Sequence, residues 1–417
     1  MAAEIADLEH VRFIDVADVY KAGVLAATLR RTRGGVVFEY TSEHLAAGRR
    51  PVATTLPLSP DPLTTPAGAV PPFFAGLLPE GRRLIALRSA VKTSADDELS
   101  LLIAVGADTV GDVQVVAHGA PPSRPAPRVD VADWSQVRFV DLVREDAAHL
   151  DLAALPGVQT KVSAATIAVP AAGLFILKLD PPEYPHVVAN EAFFLKAAAV
   201  SGLTAAEGEV VVDAEGRHGL LVRRFDRVVD GDAVTPRAQE DACQALGRYP
   251  ADKYNLTAET VLGGLVRLAR ARPVAGRDLV AQVAFAYLTG NGDQHAKNLS
   301  MAQASSGEWR VTPAYDTPTT YVYGDTTMAL SIDGRRREDI TRASFLRLGA
   351  SVGVPERAVA KVLDRLCDRV DGWIDGVGEL PFDDRRLHKL ARLIQDRRAK
   401  LSGVAGPRAG GAFGQLG

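Results

Sequence analysis

The sequence predicts an α+β protein: a small N-terminal unit of strands and helices, then a strand-rich lobe, then a larger lobe that is mostly helical. Three observations carry this. The 417 residues are too many for a single hydrophobic core. Short apolar runs separated by turn residues prevail up to about residue 237, and helical periodicity takes over from about Ala238. Between the first unit and the rest lies 118–128 (HGAPPSRPAPR), whose four prolines mark a linker or exposed excursion. The expected divisions are therefore 1–125, 126–237 and 238–402, with a Gly-rich tail, 403–417, expected to be disordered.

In chain order, 24–29 and 36–40 read as a hairpin around Arg33-Gly34-Gly35. A Pro-rich stretch, 51–72, reads mostly as loop. A helix is expected from Arg82 and another over 96–105, with Gly106 as its C-cap, and then a strand at 113–116. Beyond the linker, 158–169 reads as a hairpin, 174–179 as a buried strand, 190–199 as an amphipathic helix, and 209–212 and 220–223 as further strands. Helices are expected over 240–246, 258–270 and 278–288; in the last, Val280, Val283, Ala284, Tyr287 and Leu288 share one face. Two short strands, 299–301 and 309–311, flank a polar turn at 305–307, and helices are expected over 355–370 and 385–401.

Bulk properties narrow the class. Hydrophobic content of 47% and charged content of 24% are ordinary for a soluble globular protein. A net charge of −3 gives no global field for nucleic acid. Cys243 and Cys367 form no disulfide framework and suit a reducing compartment. No signal peptide and no membrane-length apolar run is visible, so a cytoplasmic location and no membrane partner are expected. Only ten of the 48 basic residues are Lys, so a Lys inside a motif is a choice against Arg's planar fork, unless gene composition alone sets the ratio.

The densest chemistry lies in 290–300 (GNGDQHAKNLS). Asp293 and Asn298 are five apart, the spacing a protein kinase catalytic loop uses for its base and a magnesium-holding asparagine. Lys297 offers a point charge to a phosphate, and His295 a further polar group. A kinase also needs a Lys with a Glu partner upstream and a metal-binding Asp downstream. Lys178 lies on the strand 174–179, where a charge is costly unless paired, and Glu191 opens the following helix. Asp316 follows the hairpin. Each has a plainer reading alone: Lys178 as a strand-end residue reaching water, Asp316 as a turn residue before Thr-Pro, His295 as structural. Gly157-Val158-Gln159-Thr160-Lys161 could cover phosphates or be a simple β-turn. Together, Lys, Glu, Asp…Asn and Asp stand in the order of a two-lobed kinase. No Walker A loop, Gly-x-Ser-x-Gly elbow or metal-ligand spacing of His and Cys competes.

At these residues the chain resembles the HipA family of serine/threonine kinases, toxins of bacterial toxin–antitoxin modules. The likeness extends over roughly 18–400. It includes Leu78-Pro79-Glu80-Gly81 and 101–111 (LLIAVGADTVG) in the N-terminal unit, 157–161, Arg224-Phe225-Asp226-Arg227, 239–247 (QEDACQALG), 290–300 and Pro313-Ala314-Tyr315-Asp316. The resemblance implies a protein-kinase-like fold using ATP and Mg2+. Asp293 would be the catalytic base, and Asn298 and Asp316 would be magnesium ligands; Lys297 would either assist Asp293 at the transferred phosphate or merely brace the loop. Residues 157–161 and Lys178 with Glu191 would hold phosphates, backbone at Arg223 and Phe225 would meet adenine, and His295 and Tyr315 would line the nucleotide site. It further implies a protein substrate, an aminoacyl-tRNA synthetase among the candidates, and a helix-turn-helix antitoxin that brings the kinase to DNA only indirectly. One departure stands out: where family members can carry a self-phosphorylated serine three residues before the phosphate-loop glycine, this chain has Ala154. Two other functions fit parts of the pattern. A small-molecule phosphotransferase shares the Asp…Asn, Asp set but would match only the catalytic lobe. A non-catalytic kinase-fold corepressor would act through a DNA-binding partner, and the intact Lys178, Glu191, Asp293, Asn298 and Asp316 speak against it.

Overall fold

The computed structural model describes residues 8–66, 68–123, 133–141, 153–154, 167–171, 174–181, 183–230 and 233–402, with Arg82, 153–154 and 167–171 described by backbone alone. The expected phosphate loop (Gly157, Val158, Gln159, Thr160, Lys161), most of the 158–169 hairpin and the 403–417 tail lie outside these residues.

The N-terminal unit is a five-stranded antiparallel sheet. Its strands are β1 (Val16–Lys21), β2 (Val24–Thr32), β3 (Gly35–Tyr40), β4 (Leu63–Thr65) and, after a two-residue β5 (Asp108–Thr109), β6 (Val113–Ala117), in the order β4-β3-β2-β1-β6. The turn between β2 and β3 falls at Arg33-Gly34, with Thr32 paired to Gly35. The stretch 51–72 is mostly loop but contributes the edge strand β4. Beneath the sheet lies the helix Glu98–Val105. Seven of its eight side chains are buried, as expected of a helix apolar on every face. It packs with Phe38, Phe73 and Phe74 into one core. Gly106 does follow this helix, but its φ of −71° is ordinary. Glycine is needed there because a Cβ would stand 2.2 Å from the Val115 carbonyl of β6.

The second body is built on a four-stranded antiparallel sheet. A two-residue strand β7 (Ala153–Ala154) first pairs in parallel with β5 of the N-terminal unit. The sheet itself comprises β8 (Ile167–Ala171), β9 (Phe175–Leu179), β10 (Gly208–Val212) and β11 (His218–Arg223), ordered β10-β11-β9-β8. The helix Val187–Val200 joins β9 to β10 and buries most of its surface, Asn190 and Glu191 included. A two-stranded ribbon, β12 (Arg227–Asp230) with β13 (Ala233–Pro236), leads into the third body.

There the expected helix over 240–246 is split. Residues Gln239–Asp241 form β14, paired with β15 (Ser300–Gln303), which pairs in turn with β16 (Trp309–Val311). Only Ala242–Ala245 is helical. Asp241 ends the strand because its carboxylate caps the Gln244 N–H while the Gln244 amide returns to the Asp241 N–H, the reciprocal box that starts a helix. The helix expected over 278–288 begins earlier and spans Arg272–Thr289, with a proline in its first turn, where the missing N–H costs nothing. Around it pack Ala258–Leu268, Glu356–Arg369, Asp384–Ser402 and a helix the sequence did not announce, Arg342–Ser351. Their apolar faces form the largest core, with Tyr287, Phe285, Phe345 and Trp373 inside it. Among the described residues no helix is long and apolar enough to cross a membrane.

Candidate active site

Strand alternation sets the first component. On β9, Leu177 and Leu179 turn toward Phe139 and form a small apolar cluster, so Lys178 projects to the opposite face, toward the helix Val187–Val200. There its Nζ donates to both oxygens of Glu191, at 2.7 and 2.9 Å, and to Asp316 Oδ1 at 3.0 Å. Burial works to lower the lysine's pKa, but the two carboxylates overturn it and hold the ammonium charged. Burial and the neighbouring Asp316 push Glu191 up against the pull of Lys178. One cation therefore serves two carboxylates.

Asp316 reaches this point through a left-handed backbone, φ 54°, a region that Asp tolerates better than most side chains. The segment after it is tied to the Glu191 helix by Asn190. That side chain donates to the Thr319 carbonyl and accepts the Thr319 N–H, both at 2.9 Å.

The second component hangs from the long helix, which ends at Gly290 in the left-handed conformation, φ 75°, the common C-terminal stop. Gly290's carbonyl then accepts the N–H groups of Thr320 and Tyr321. Gly292 is fixed by close approach, since a Cβ would lie 2.3 Å from the Thr327 carbonyl and 2.5 Å from Asp325. Asp293 is fully buried. Its N–H donates to Asn291 Oδ1 at 2.9 Å, and the same Asn291 donates through Nδ2 to the Asp316 carbonyl at 3.2 Å. One asparagine thus joins the segments that carry the two aspartates. Asn298 Nδ2 donates to the Asp293 carbonyl at 3.0 Å, which leaves the amide oxygen as the acceptor it can offer. Tyr254 OH donates to Asp293 Oδ1 at 2.7 Å.

The remaining expected site residues fall as follows. His295 is buried edge-on to Tyr254, 5.0 Å between ring centroids. Burial and the nearby Lys253 ammonium push its pKa down to about 3, so it is a neutral imidazole. Its Nδ1 has no hydrogen-bond partner among the described residues. Tyr315 packs against Phe225 at 5.4 Å and donates to the Lys297 carbonyl at 2.6 Å, making an apolar wall between 223–227 and the Asp293 loop. Arg223 donates its N–H to the Glu207 carbonyl. Lys297 does not point its ammonium at Asp293: Nζ sits 2.8 Å from Glu80 Oε1 and donates to the Gly76 carbonyl at 3.0 Å, with Asp241 at 3.9 Å. Glu80 belongs to the N-terminal unit. Burial raises its pKa, and Lys297 and Lys253 together bring it down to about 2.

Behind 223–227 lies a quartet of charges, three of them buried and Asp108 partly so. Arg224 and Arg227 both bond Asp226 and Asp108, and Asp226 also accepts the Gly111 N–H. Sequence reasoning named neither this lock nor Asn190, Asn291, Lys253 and Tyr254 as working residues. Asp108, Arg224, Asp226, Arg227 and Asn291 do lie within the motifs that carry the resemblance, and Lys253 is one of ten lysines among 48 basic residues, whereas Asn190 and Tyr254 left no trace.

The donor set suits a hard cation. Asp316 and Asn298 are oxygen donors, the first in a cluster of two carboxylates to one ammonium and the second bonded through its amide nitrogen to the Asp293 carbonyl, and Mg2+ takes one or two carboxylates and keeps waters for its other positions. Among the described residues no three His, Cys, Asp or Glu side chains group as a metal cage.

Comparison with known proteins fits this arrangement. A family model described as "HipA-like C-terminal domain" matches residues 153–374, and one described as "HipA N-terminal domain" matches 17–116. The chain belongs to the HipA family. Among its relatives, "Putative kinase Y4mE" of Sinorhizobium fredii is 30% identical over 93% of this chain and 98% of its own length. "Serine/threonine-protein kinase toxin HipA" of Shewanella oneidensis is 27% identical over 79% of this chain and 81% of its own. The Shewanella oneidensis HipA solved with HipB and operator DNA superposes with a TM-score of 0.73 at 22% identity, covering 93% of this chain and 97% of that one. The HipA fold, α+β and kinase-like, is therefore that of this chain.

Proposed function

We propose that this HipA-family protein is an ATP- and Mg2+-dependent serine/threonine protein kinase, the toxin of a toxin–antitoxin module. The observation that carries this is the convergence of Lys178, Glu191 and Asp316 with the Asp293–Asn298 loop, joined through Asn291. Lys178 holds nucleotide phosphates and Glu191 keeps it in place. Asp316 and Asn298 hold Mg2+, which neutralises charge on the transferred phosphoryl group. Asp293 accepts the acceptor hydroxyl's proton. Arg223 and Phe225 present backbone to the adenine, with Tyr315 and neutral His295 lining the site, and 157–161 covers the phosphates. Lys297 acts as a brace in this scheme, because its charge is already matched by Glu80.

The partner is a helix-turn-helix antitoxin, and DNA is reached through it; the relative from Shewanella oneidensis solved with HipB and operator DNA supports this. The substrate is a protein hydroxyl, with aminoacyl-tRNA synthetases the first class to test. Ala154 removes the serine through which family members silence themselves, so control falls to the partner. Phosphate found within 151–161 after incubation with ATP would overturn that last point.

The deciding experiment induces wild type and Asp293→Ala in parallel and maps phosphosites across the proteome. Growth arrest and new phosphoserine or phosphothreonine sites in wild type alone are expected. Equal growth and identical phosphosites sink the proposal.

A further inference from the structure

Among the described residues of the N-terminal unit, Glu80 is the side chain that meets the Asp293 loop through charge, and it does so by two routes. One of its oxygens takes Lys297 Nζ at 2.8 Å and the other takes Lys253 Nζ. Both ammoniums are out of water, at 3% and 1% exposure, where an unmatched charge is untenable. Each lysine then passes its position on through its own backbone or neighbour. The Lys253 carbonyl accepts the Ala296 N–H at 3.2 Å, and the next residue, Tyr254, donates its hydroxyl to Asp293 Oδ1 at 2.7 Å. The Lys297 carbonyl accepts the Tyr315 hydroxyl. Gly76, four residues before Glu80, takes a further bond from Lys297.

We infer that the N-terminal unit completes the catalytic centre, with Glu80 and Tyr254 as positioning residues that fix the orientation of the Asp293 carboxylate. Glu80 anchors Lys253, Lys253 places Tyr254, and Tyr254 sets the rotation of the carboxylate. A misplacement of the base by about 1 Å costs on the order of a hundredfold in rate, so such a chain has leverage although Glu80 touches no reacting atom. The inference rests on the reading of Asp293 as base.

The test compares full-length wild type, Tyr254→Phe, Glu80→Gln, the double variant and Asp293→Ala. Measured are kcat for protein phosphorylation, affinity for a fluorescent ATP analogue, and amide exchange across 291–298. Each single variant should lose about tenfold or more in kcat and exchange faster in that loop. Nucleotide affinity should hold within about twofold in Tyr254→Phe, because Lys178, Glu191, Asp316 and 223–227 are carried by other elements, whereas Glu80→Gln also frees Lys297 beside Asn298 and Tyr315 and should lose affinity, by less than it loses kcat. The double variant should be no worse than the poorer single one, as expected when two residues act through one route. Wild-type kcat in Tyr254→Phe, or losses that multiply in the double variant, overturn the inference. If Glu80→Gln does not fold, Tyr254→Phe still decides, since it removes one oxygen from a half-buried ring. Transfer that survives Asp293→Ala sinks the base assignment and this inference with it. Transfer lost in Asp293→Ala but unchanged in Tyr254→Phe sinks the positioning role alone.

Discussion

Lys178 donates to both oxygens of Glu191 and to Asp316, so one ammonium faces two carboxylates where little water reaches. Removing it leaves the buried Glu191 and the partly buried Asp316 without their cation, and a broken buried pair costs about 3–5 kcal/mol. Lys178→Met should therefore lower the melting temperature as well as abolish phosphotransfer, and calorimetry read beside activity will show both. Glu80 gives a pH signature of its own. Its pKa drops from 4.5 to about 2, which at 1.36 kcal/mol per unit amounts to about 3 kcal/mol. A carboxylate depressed on folding stabilises above its unfolded pKa, and the contribution fades as pH falls toward the folded value. The stability margin of wild type over Glu80→Gln should stay level from pH 7 to about 4.5 and shrink toward pH 2, as urea unfolding at several pH values will reveal. At this scale the sequence was most legible where chemistry dictates residue type. Lys178, Glu191, Asp293, Asn298 and Asp316 could be named from type and spacing. Tyr254 could not, because a tyrosine after a lysine is common and only the fold brings it to Asp293.

The helix Arg272–Thr289 and the loop it delivers show how an element fixes a site. Gly290 stops the helix by its left-handed backbone, and Gly292 admits the Thr327 carbonyl where a methyl group would stand. Gly292→Ala should push the loop off Asp325 and Thr327, cost roughly 1–3 kcal/mol as overpacking does, and reduce phosphotransfer far more than that figure alone implies; a thermal melt paired with a kinase assay separates the two effects. Periodicity located this helix from Asp278 on but missed its first turns, because what they bury is Ala275 and Gly276, too slight to mark an apolar face. The split at Asp241 was likewise hidden. Strand pairing with 300–303 is a long-range contact, and nothing local distinguishes Gln239–Asp241 from the start of a helix. The helix Arg342–Ser351, with only Ser344, Phe345, Leu348 and Gly349 buried, carries too thin an apolar stripe to stand out.

Across the molecule, the N-terminal unit is bonded to both other bodies. Asp108 and Gly111 join the Arg224–Asp226–Arg227 cluster, while Glu80, Thr54 and the Phe73 carbonyl reach Lys253, Lys297, Glu240 and Gln244. Asp226 neutralises two arginines at once, so Asp226→Asn should cost about 3–5 kcal/mol and loosen the N-terminal unit from its neighbours. Limited proteolysis should then cut near 111 faster than in wild type. The order of the three bodies was visible in composition and periodicity. Their mutual docking was not, since it rests on charges that look like ordinary surface residues until their partners are known.

The quartet of charges at 224–227 has a mechanical consequence. In a two-lobed enzyme the connection between lobes works as the pin of a door, and closing on nucleotide is a swing about it. Here the N-terminal unit is fastened to that pin and also to the frame on the far side, like a cross-brace nailed to both. Under the proposed function, any swing of the lobes on nucleotide would have to carry the N-terminal unit with one side and strain its bonds to the other.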